Sequence, residues 1–475
     1  MIFNFLKNKG KNPRVRFAPS PTGPFHVGGA RTALFNYLFA KKNGGEFVLR
    51  IEDTDAERSD KRFEKDIVDG LNWLGIKSDE FCRQSERTDI YEKYLKKIIS
   101  GREAFWCHHT REELAEEKTR QMENKEPPRH VCEHKNEKEN KTGGIIRLKG
   151  SDKKIKFHDL IRGDIEFDLS LLGDIAIAKD ERTPLYNFAV VVDDNEMGIT
   201  HVIRGEDHIS NTPKQMIIQK ALGIESPLYA HIPMILGTDR SKLSKRHGAT
   251  SVNEYQRLGY LADAFINFMV MLGWNPGDEK EIMDKEEITK KFSLEKIQKG
   301  GAVFNIEKLN WFNKEYVKKM PAAELAKTAA EFMPEEVKEK IKENFAYWEK
   351  IMEMEKTRIT VFSEVKENTG YFFVNPSFPK SLLVWEDDKP ETAKEHVNKI
   401  IESLSSLKSA DFSKESVKGA IWAYAEEKGR GSVLWPFRVA LTGLAKSPDP
   451  FGIAEILGKD ETLSRLNHAK LILHG

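Results

Sequence analysis

The sequence predicts an α/β protein: a parallel sheet with helices packed on it, interrupted by an inserted region and followed by an all-α second half. Three observations point there. Strand-like and helix-like periods alternate from Arg14 to about residue 90, and a Lys/Glu-rich stretch then interrupts them. Beyond Ser251 almost every segment has a helical period.

The first strand is Arg14-Val15-Arg16-Phe17, and it runs into residues 18–24, where Pro19, Pro21, Gly23 and Pro24 forbid regular structure. From His26 the spacing turns helical, with Ala30, Ala33, Leu34, Tyr37 and Leu38 on one face and Asn43-Gly44-Gly45 as the stop. Residues 46–51 read as a buried strand whose end opens onto Glu52-Asp53-Thr54-Asp55. A second helix follows, capped by Ser59, with Phe63, Ile67, Leu71 and Leu74 on one face. Residues 91–182 read as an insertion into the sheet. Lys and Glu dominate 112–141 there, and strand-like fragments follow at 144–148 and 164–169. Apolar strands resume at 188–192 and 200–204. Asn211-Thr212-Pro213 then opens a helix over 215–222, which leads to a strand over 231–236. Helices are expected over 255–261, 334–356, 393–407 and 414–427, and no internal repeat is evident.

At 475 residues the chain calls for two to four domains. Its 76 Lys+Arg balance 75 Asp+Glu, so net charge alone neither requires nor excludes nucleic acid. Three cysteines argue against a disulfide framework and for a reducing compartment. No apolar run reaches the ~18 residues of a membrane span, and the N-terminus lacks a signal-peptide pattern. A cytoplasmic location is expected.

Two separated segments carry the chemistry. In Pro24-Phe25-His26-Val27-Gly28-Gly29-Ala30 a helix opens on a glycine pair beside a histidine. Glycines there admit a ligand close to the backbone, and free N–H groups at a helix start favour phosphate. In Lys242-Leu243-Ser244-Lys245-Arg246-His247-Gly248, two lysines and an arginine can gather around a triphosphate. Alone, each segment reads more simply as a tight turn or a solvated basic loop. Together they resemble the two signatures of class I aminoacyl-tRNA synthetases, here in the forms H-V-G-G and K-L-S-K-R.

The narrower resemblance, over essentially the whole chain, is to the bacterial glutamyl-tRNA synthetases. It is carried by Arg16-Phe17-Ala18-Pro19-Ser20-Pro21-Thr22-Gly23 and Arg50-Ile51-Glu52-Asp53-Thr54-Asp55. Tyr186-Asn187-Phe188-Ala189, Val191-Val192-Asp193-Asp194 and Val202-Ile203-Arg204-Gly205-Glu206-Asp207 carry it further. The resemblance implies a Rossmann-type catalytic domain over 12–90 and 183–250, with an acceptor-stem-binding domain inserted at 91–182. A stem-contact region over 251–325 and a helical anticodon-binding region over 326–475 would follow. The implied reaction is ATP-dependent activation of L-glutamate to glutamyl-adenylate, then transfer to the terminal adenosine of tRNA(Glu), with tRNA(Gln) a further candidate. Mg2+ would accompany ATP, and the family's members are usually monomers.

Glutamate presents two carboxylates and an ammonium, so a pocket needs two cations and an anion. Arg16 and Arg204 supply the cations and Glu52 the anion, while Ser20 and Tyr186 add hydrogen bonds. By resemblance these five line the glutamate pocket; taken singly, each reads as well as a surface ion pair or solvated side chain. Where some relatives carry an asparagine contact, this chain has Val190. ATP is expected against His26, Gly28, Gly29, Asp207, Ile235 and Lys245, with His26, Lys242 and Lys245 stabilising charge as pyrophosphate leaves.

Cys107-His108-His109 and Cys132-Glu133-His134 repeat Cys-x-His, enough for one structural tetrahedral Zn2+ on Cys107, His109, Cys132 and His134. His108 and His130 are rival ligands, and an emptied site is the plain alternative. Near the C-terminus, Arg430 and Arg438 lie in a segment resembling those of the family's last domains, where arginines can meet RNA phosphates or form surface pairs.

Overall fold

The computed structural model describes residues 12–474, except 56, 138–141, 245, 247 and 249. Lys245 therefore lies outside the described residues. The chain divides into two units: residues up to Gln256 with Ala262–Leu309, and Arg257–Leu261 with Asn310–Gly475.

The first unit opens with β1 (Arg14–Phe17), α1 (Val27–Lys42), β2 (Glu46–Ile51), α2 (Lys61–Trp73) and β3 (Glu80–Arg83). The three strands pair in parallel in the order β1-β2-β3. The apolar run of β2 is buried on both faces, as strands between helix layers are. Gly45, after α1, is required by close approach, since a Cβ there would stand 1.9 Å from the Pro13 carbonyl oxygen. The cap of α2 is Asp60, whose side chain accepts from Arg62 N–H, and not Ser59. Asp60 has the geometry because it stands one residue before the first helical turn, whereas Ser59 lies outside it.

The inserted stretch contains α3 (Thr88–Ser100), β4 (Ala104–Cys107), α4 (Arg111–Glu123), β5 (Ile145–Leu148), β6 (Lys154–Asp159), β7 (Gly163–Asp168) and β8 (Ala176–Ala178). Strands β4, β5 and β8 form a small antiparallel sheet, while β6 and β7 form a hairpin. That hairpin does not stand apart. After α5 (Tyr186–Glu196), β9 (His201–Gly205), α6 (Thr212–Leu222) and β10 (Leu228–Ile232), the sheet order is β7-β6-β10-β9, with β6 parallel to β10 at Asp159 and Tyr229. Thr200 N–H donates to the Arg14 carbonyl at 2.9 Å and links this sheet to β1.

One element differs in type from the sequence expectation. Residues 188–192, read as a strand, form part of α5. A short apolar run buried on all sides has no period to separate strand from helix, and Val190, Val191 and Val192 are all buried. The helix matters for the chemistry, because successive residues turn by roughly 100° and send Asp193 and Asp194 to different partners.

The first unit continues with β11 (Ile235–Leu236), α7 (Val252–Arg257), α8 (Ala262–Met271), α9 (Lys285–Lys291) and β12 (Ala302–Val303), β11 pairing parallel to β12. Asp284 caps α9 by accepting from Glu287 N–H. The second unit is helical, from α10 (Ile306–Lys319) through α11 (Ala322–Ala330), α12 (Glu335–Glu343), α13 (Phe345–Glu355), α14 (Val365–Thr369), α15 (Pro390–Ser405), α16 (Lys414–Lys428), α17 (Arg430–Thr442) and α18 (Pro450–His474). The helix expected over 334–356 is two, broken at Asn344, which caps the second by accepting from Tyr347 N–H. Trp348, fully buried in the core of this unit, donates its indole N–H to the Ala326 carbonyl at 2.8 Å. Among the described residues no helix is long and apolar enough to cross a membrane.

Candidate active site

A cleft of about 550 Å3 opens at the C-terminal ends of β1, β2, β9 and β10. Parallel sheets bind ligands at that edge, where loops leave the strands and helix N-termini point outward. Arg16, Ser20, Glu52, Tyr186 and Arg204 all line it. So do His26, Gly28, Gly29, Asp207, Ile235 and Lys242. Val190 does not; it is buried in the core beside α3.

His26 is the N-cap of α1 and forms an isolated antiparallel bridge with Ser251. Val27 N–H donates to the Thr250 carbonyl, and Val252 N–H to the Phe25 carbonyl, each at 2.9 Å. The segment around His26 is thus tied to the chain that follows Lys242 to Gly248. Asp66 fastens the same place, accepting from Phe25 N–H at 2.6 Å and from the Asn253 amide. A Cβ at Gly28 would meet nothing within 4 Å, so the glycine leaves open space above the first turn of α1. Its open N–H groups and partial positive charge suit phosphate there.

Lys242 is exposed and faces Asp207 at 3.8 Å across the mouth of the cleft. It is aligned by a bridge to Leu236, and Leu243 N–H donates to the Ile235 carbonyl at 3.1 Å. Part of the Ile235 backbone is therefore already engaged. The neighbouring Met234 N–H is engaged too, by Glu206 at 2.7 Å.

The deeper end is a charge lattice. Arg16 meets Asp194 through Nε at 3.2 Å and Nη2 at 3.4 Å. Arg50, which is fully buried, donates to Asp194 at 2.8 Å and to Glu52 at 3.2 Å. Asp193, the preceding residue of α5, lies 3.8 Å from Arg50 and accepts from Arg87 at 2.7 Å, with Gln84 and Tyr91 each at 2.8 Å. Burial pushes the Asp194 carboxyl up, but Arg16 and Arg50 more than offset it and hold it below the usual range. Burial also pushes Glu52 up, and there Arg50 and Arg16 offset only part, so its net direction is upward. Tyr186 OH lies 3.2 Å from His208 Nδ1; burial pushes that imidazole down to about 4, with the Arg204 cation adding to the effect.

Arg204 is different. It is buried, and among the described residues no carboxylate pairs with it. Its Nε and Nη2 are engaged by His231 and Thr212, while Nη1 is buried without a hydrogen-bond partner. Three guanidinium groups, of Arg16, Arg50 and Arg204, thus stand against the carboxylates of Glu52 and Asp194. The set carries an excess of one positive charge. A buried guanidinium with no anion is costly unless a ligand supplies one.

Sequence reasoning missed Arg50, Asp194, Asp159 and His231 as parts of this lattice. The available signal was a charge inside an apolar run: Arg50 in Phe47-Val48-Leu49-Arg50-Ile51, and Asp193-Asp194 after three valines.

A second cluster lies in the inserted stretch. One ligand atom each from Cys107, His109, His130 and Cys132 fall within 4.8 Å of one another. Tetrahedral donors 2.0–2.3 Å from one ion lie about 3.3–3.8 Å apart, and Cys107 Sγ is 3.5 Å from His109 Nδ1 and 3.6 Å from His130 Nε2, with Cys132 Sγ 3.7 Å from His109 Nδ1. The structure thus groups His130 with three of the expected ligands. His134 lies outside that quartet, although its Nδ1 is 3.2 Å from Cys132 Sγ. Glu117 holds His130 Nδ1 at 2.5 Å and turns Nε2 towards Cys107 Sγ at 3.6 Å, the carboxylate–histidine arrangement of many metal sites. Asp174 accepts from Cys132 N–H at 2.7 Å and fixes the loop. Burial, with the Cys107 thiol beside it, pushes the Cys132 thiol up to about 12. Cys82 is half-buried and joins neither cluster.

In the helical unit, Arg438 is spent internally, donating to the Ser447 carbonyl at 2.6 Å and to the Pro448 carbonyl at 3.0 Å. Arg430 is exposed, pairs with Glu426 at 2.7 Å and lies over Trp422.

Comparison with known proteins agrees with this architecture. Residues 13–311 match the family described as tRNA synthetases class I (E and Q), catalytic domain, and residues 308–470 match an anticodon binding domain. The chain is 41% identical over 481 residues to a glutamate–tRNA ligase of Desulforamulus reducens, covering 96% of this chain and 99% of the relative. It is 42% identical over 468 residues to that of Thermodesulfovibrio yellowstonii, covering 95% and 98%. Among solved structures, it resembles a glutamate–tRNA ligase from Elizabethkingia meningosepticum in complex with its amino acid. That match has TM-score 0.84, 34% identity, and coverage of 97% of this chain and 99% of that one.

Proposed function

The chain belongs to the glutamate–tRNA ligases of the class I tRNA synthetases, and on that footing we propose how its cleft divides the work. Arg204 and Arg16 grip the carboxylates of L-glutamate, Glu52 takes the α-ammonium, and Ser20 and Tyr186 fix the side chain's orientation. ATP runs along the other end. Its adenine lies near Ile235, Asp207 is at the ribose or phosphates, and the phosphates lie over Gly28, Gly29 and His26, with Lys242 opposite and Lys245, outside the described residues, as the further expected cation. The observation that most supports this reading is Arg204 itself, a buried cation with an unpaired Nη1 in a cleft otherwise neutral at its deep end.

The chemistry then needs no protein nucleophile. A glutamate carboxylate oxygen attacks the α-phosphorus, a new O–P bond forms, and the bond to the leaving pyrophosphate breaks. His26 and Lys242 face the charge that grows on the phosphates, and Lys245 is the expected third group to stabilise it. The terminal adenosine 2′-hydroxyl next attacks the activated carbonyl and AMP departs. ATP is used with Mg2+. The ion would be held mainly by phosphate oxygens and water.

For the inserted cluster we propose one structural Zn2+ on Cys107, His109, Cys132 and His130, a closed four-donor set that leaves no place for substrate. The inserted domain over 91–182 would meet the acceptor stem, residues 251–325 would contact the stem, and the helical region over 326–475 would bind the anticodon, with Arg430 as an exposed candidate. We further propose a monomer in the cytoplasm that charges tRNA(Glu), with tRNA(Gln) as a second substrate to be tested.

The experiment is glutamate-dependent ATP–pyrophosphate exchange with each purified tRNA, present and absent. Exchange that requires tRNA(Glu) and rises with glutamate supports the reading. Exchange driven instead by another amino acid would overturn the assigned pocket.

A further inference from the structure

Behind Arg204, outside the cleft lining, sits a buried pair that the reaction does not call for. His231, in β10, and Asp159, at the end of β6, are both fully buried. His231 Nδ1 lies 2.6 Å from Asp159 Oδ2, and His231 Nε2 lies 3.2 Å from Arg204 Nε and 3.2 Å from Thr212 Oγ1. Arg204 Nη2 donates to the same Thr212 hydroxyl at 2.8 Å.

The donor inventory fixes the protons. A guanidinium has only N–H donors, so His231 Nε2 must be the acceptor, and Nδ1 must carry the proton that Asp159 receives. Asp159 is itself held, accepting from the backbone N–H groups of Ile161 at 3.0 Å, Arg162 at 2.8 Å and His231 at 3.1 Å. Burial pushes the His231 imidazole down; Asp159 opposes this, and Arg204 adds to it. A neutral ring with its lone pair on Nε2 is the state that this arrangement favours.

We propose that Asp159 and His231 are positioning residues for the substrate cation. Asp159 selects the tautomer of His231, and His231 and Thr212 then hold the Nε and Nη2 edge of Arg204 so that Nη1 is free for a glutamate carboxylate. This rests on the reading of Arg204 as a glutamate-binding residue. It gives the inserted β6–β7 hairpin a part in amino acid recognition, through the single register position at which β6 pairs with β10.

The test is the glutamate KM in tRNA-dependent pyrophosphate exchange, measured for Arg204→Ala, His231→Ala, His231→Gln and Asp159→Asn. ATP KM, kcat and Tm are followed alongside. A glutamine can place its amide oxygen where Nε2 stands and accept from Arg204. His231→Ala is expected to raise the glutamate KM about tenfold, the scale of one charged hydrogen bond, with ATP KM and kcat little changed. His231→Gln should recover most of that loss. Asp159→Asn can donate its amide to Nδ1 and so reverse the tautomer; it should raise the glutamate KM when His231 is present but add nothing to His231→Gln. If His231→Ala does not fold, that cycle decides: a non-additive pair supports the proposal and an additive one overturns it. An unchanged glutamate KM in His231→Ala, with a raised one in Arg204→Ala, defeats the positioning role and leaves the site reading intact. An unchanged KM in Arg204→Ala defeats both.

Discussion

His26 and Ser251 lie opposite each other in an antiparallel bridge, although 225 positions of chain separate them. The hydrogen bonds on either side, Val27 to Thr250 and Val252 to Phe25, make this a fixed joint. Residues 250–252, which follow the segment opened by Lys242, therefore return to the first turn of α1, and in the proposed site two phosphate-binding devices would act on one ligand. A helix start supplies fixed dipoles and the lysines supply mobile charges.

Gly28 and Gly45 separate binding from folding. A methyl at Gly28 meets nothing in the protein, whereas one at Gly45 collides with the Pro13 carbonyl. Gly28→Ala should keep the fold, and gain up to about 1 kcal/mol of helix propensity, while raising the ATP KM severalfold. Gly45→Ala should lower Tm and leave the ATP KM of the folded fraction unchanged. Thermal melts with ATP titrations check both.

Arg50 holds the lattice together. It touches Asp194 and Glu52 directly and lies 3.8 Å from Asp193. Arg50→Met strands buried carboxylates, so urea denaturation should show a loss of about 3–5 kcal/mol. A loss below about 1 kcal/mol would mean that the carboxylates find other partners.

Glu355 sets a pH dependence in the helical unit. Burial pushes its carboxyl up to about 7, and Arg358, at 3.2 Å, offsets only part. A folded-state value above the unfolded one gives stability that is present at low pH and lost as pH rises through about 7. Between pH 6 and 8 the helical unit should lose on the order of 1–2 kcal/mol that Glu355→Gln does not lose. Parallel pH–Tm curves for the two proteins would contradict this.

For the inserted cluster, metal analysis should find one zinc per chain, absent from Cys107→Ser and Cys132→Ser. His130→Ala should weaken zinc binding more than His134→Ala, because His130 is in the close quartet and is oriented by Glu117. Competition with a chromogenic chelator reads the difference.

The strand–helix alternation up to α2 was legible because the two helices carry a helical period and the short apolar runs between them are bounded by turn residues such as Asn43-Gly44-Gly45. Helix α5 was not, since burial on all sides erases the pattern. Residues lining the cleft could be picked out as a set through the family resemblance, which short runs at strand ends carry. Their partners could not: Arg16 meets Asp194 across 178 positions, and Arg204 meets His231 across two strands. Such pairs are set by sheet register and by how α5 packs against β1, which no local spacing encodes. The hairpin's place in the main sheet escaped for the same reason, its link to β10 being one register position.

The central claim is that one cleft keeps amino acid and nucleotide recognition on separate groups, and pyrophosphate exchange with Arg204→Ala and Lys242→Ala tests it most directly. Arg204→Ala is expected to raise the glutamate KM about a hundredfold, about 3 kcal/mol, with the ATP KM unchanged. Lys242→Ala should lower kcat or raise the ATP KM about tenfold and leave the glutamate KM alone. If the two variants instead shift both substrates alike, the division of the cleft is wrong.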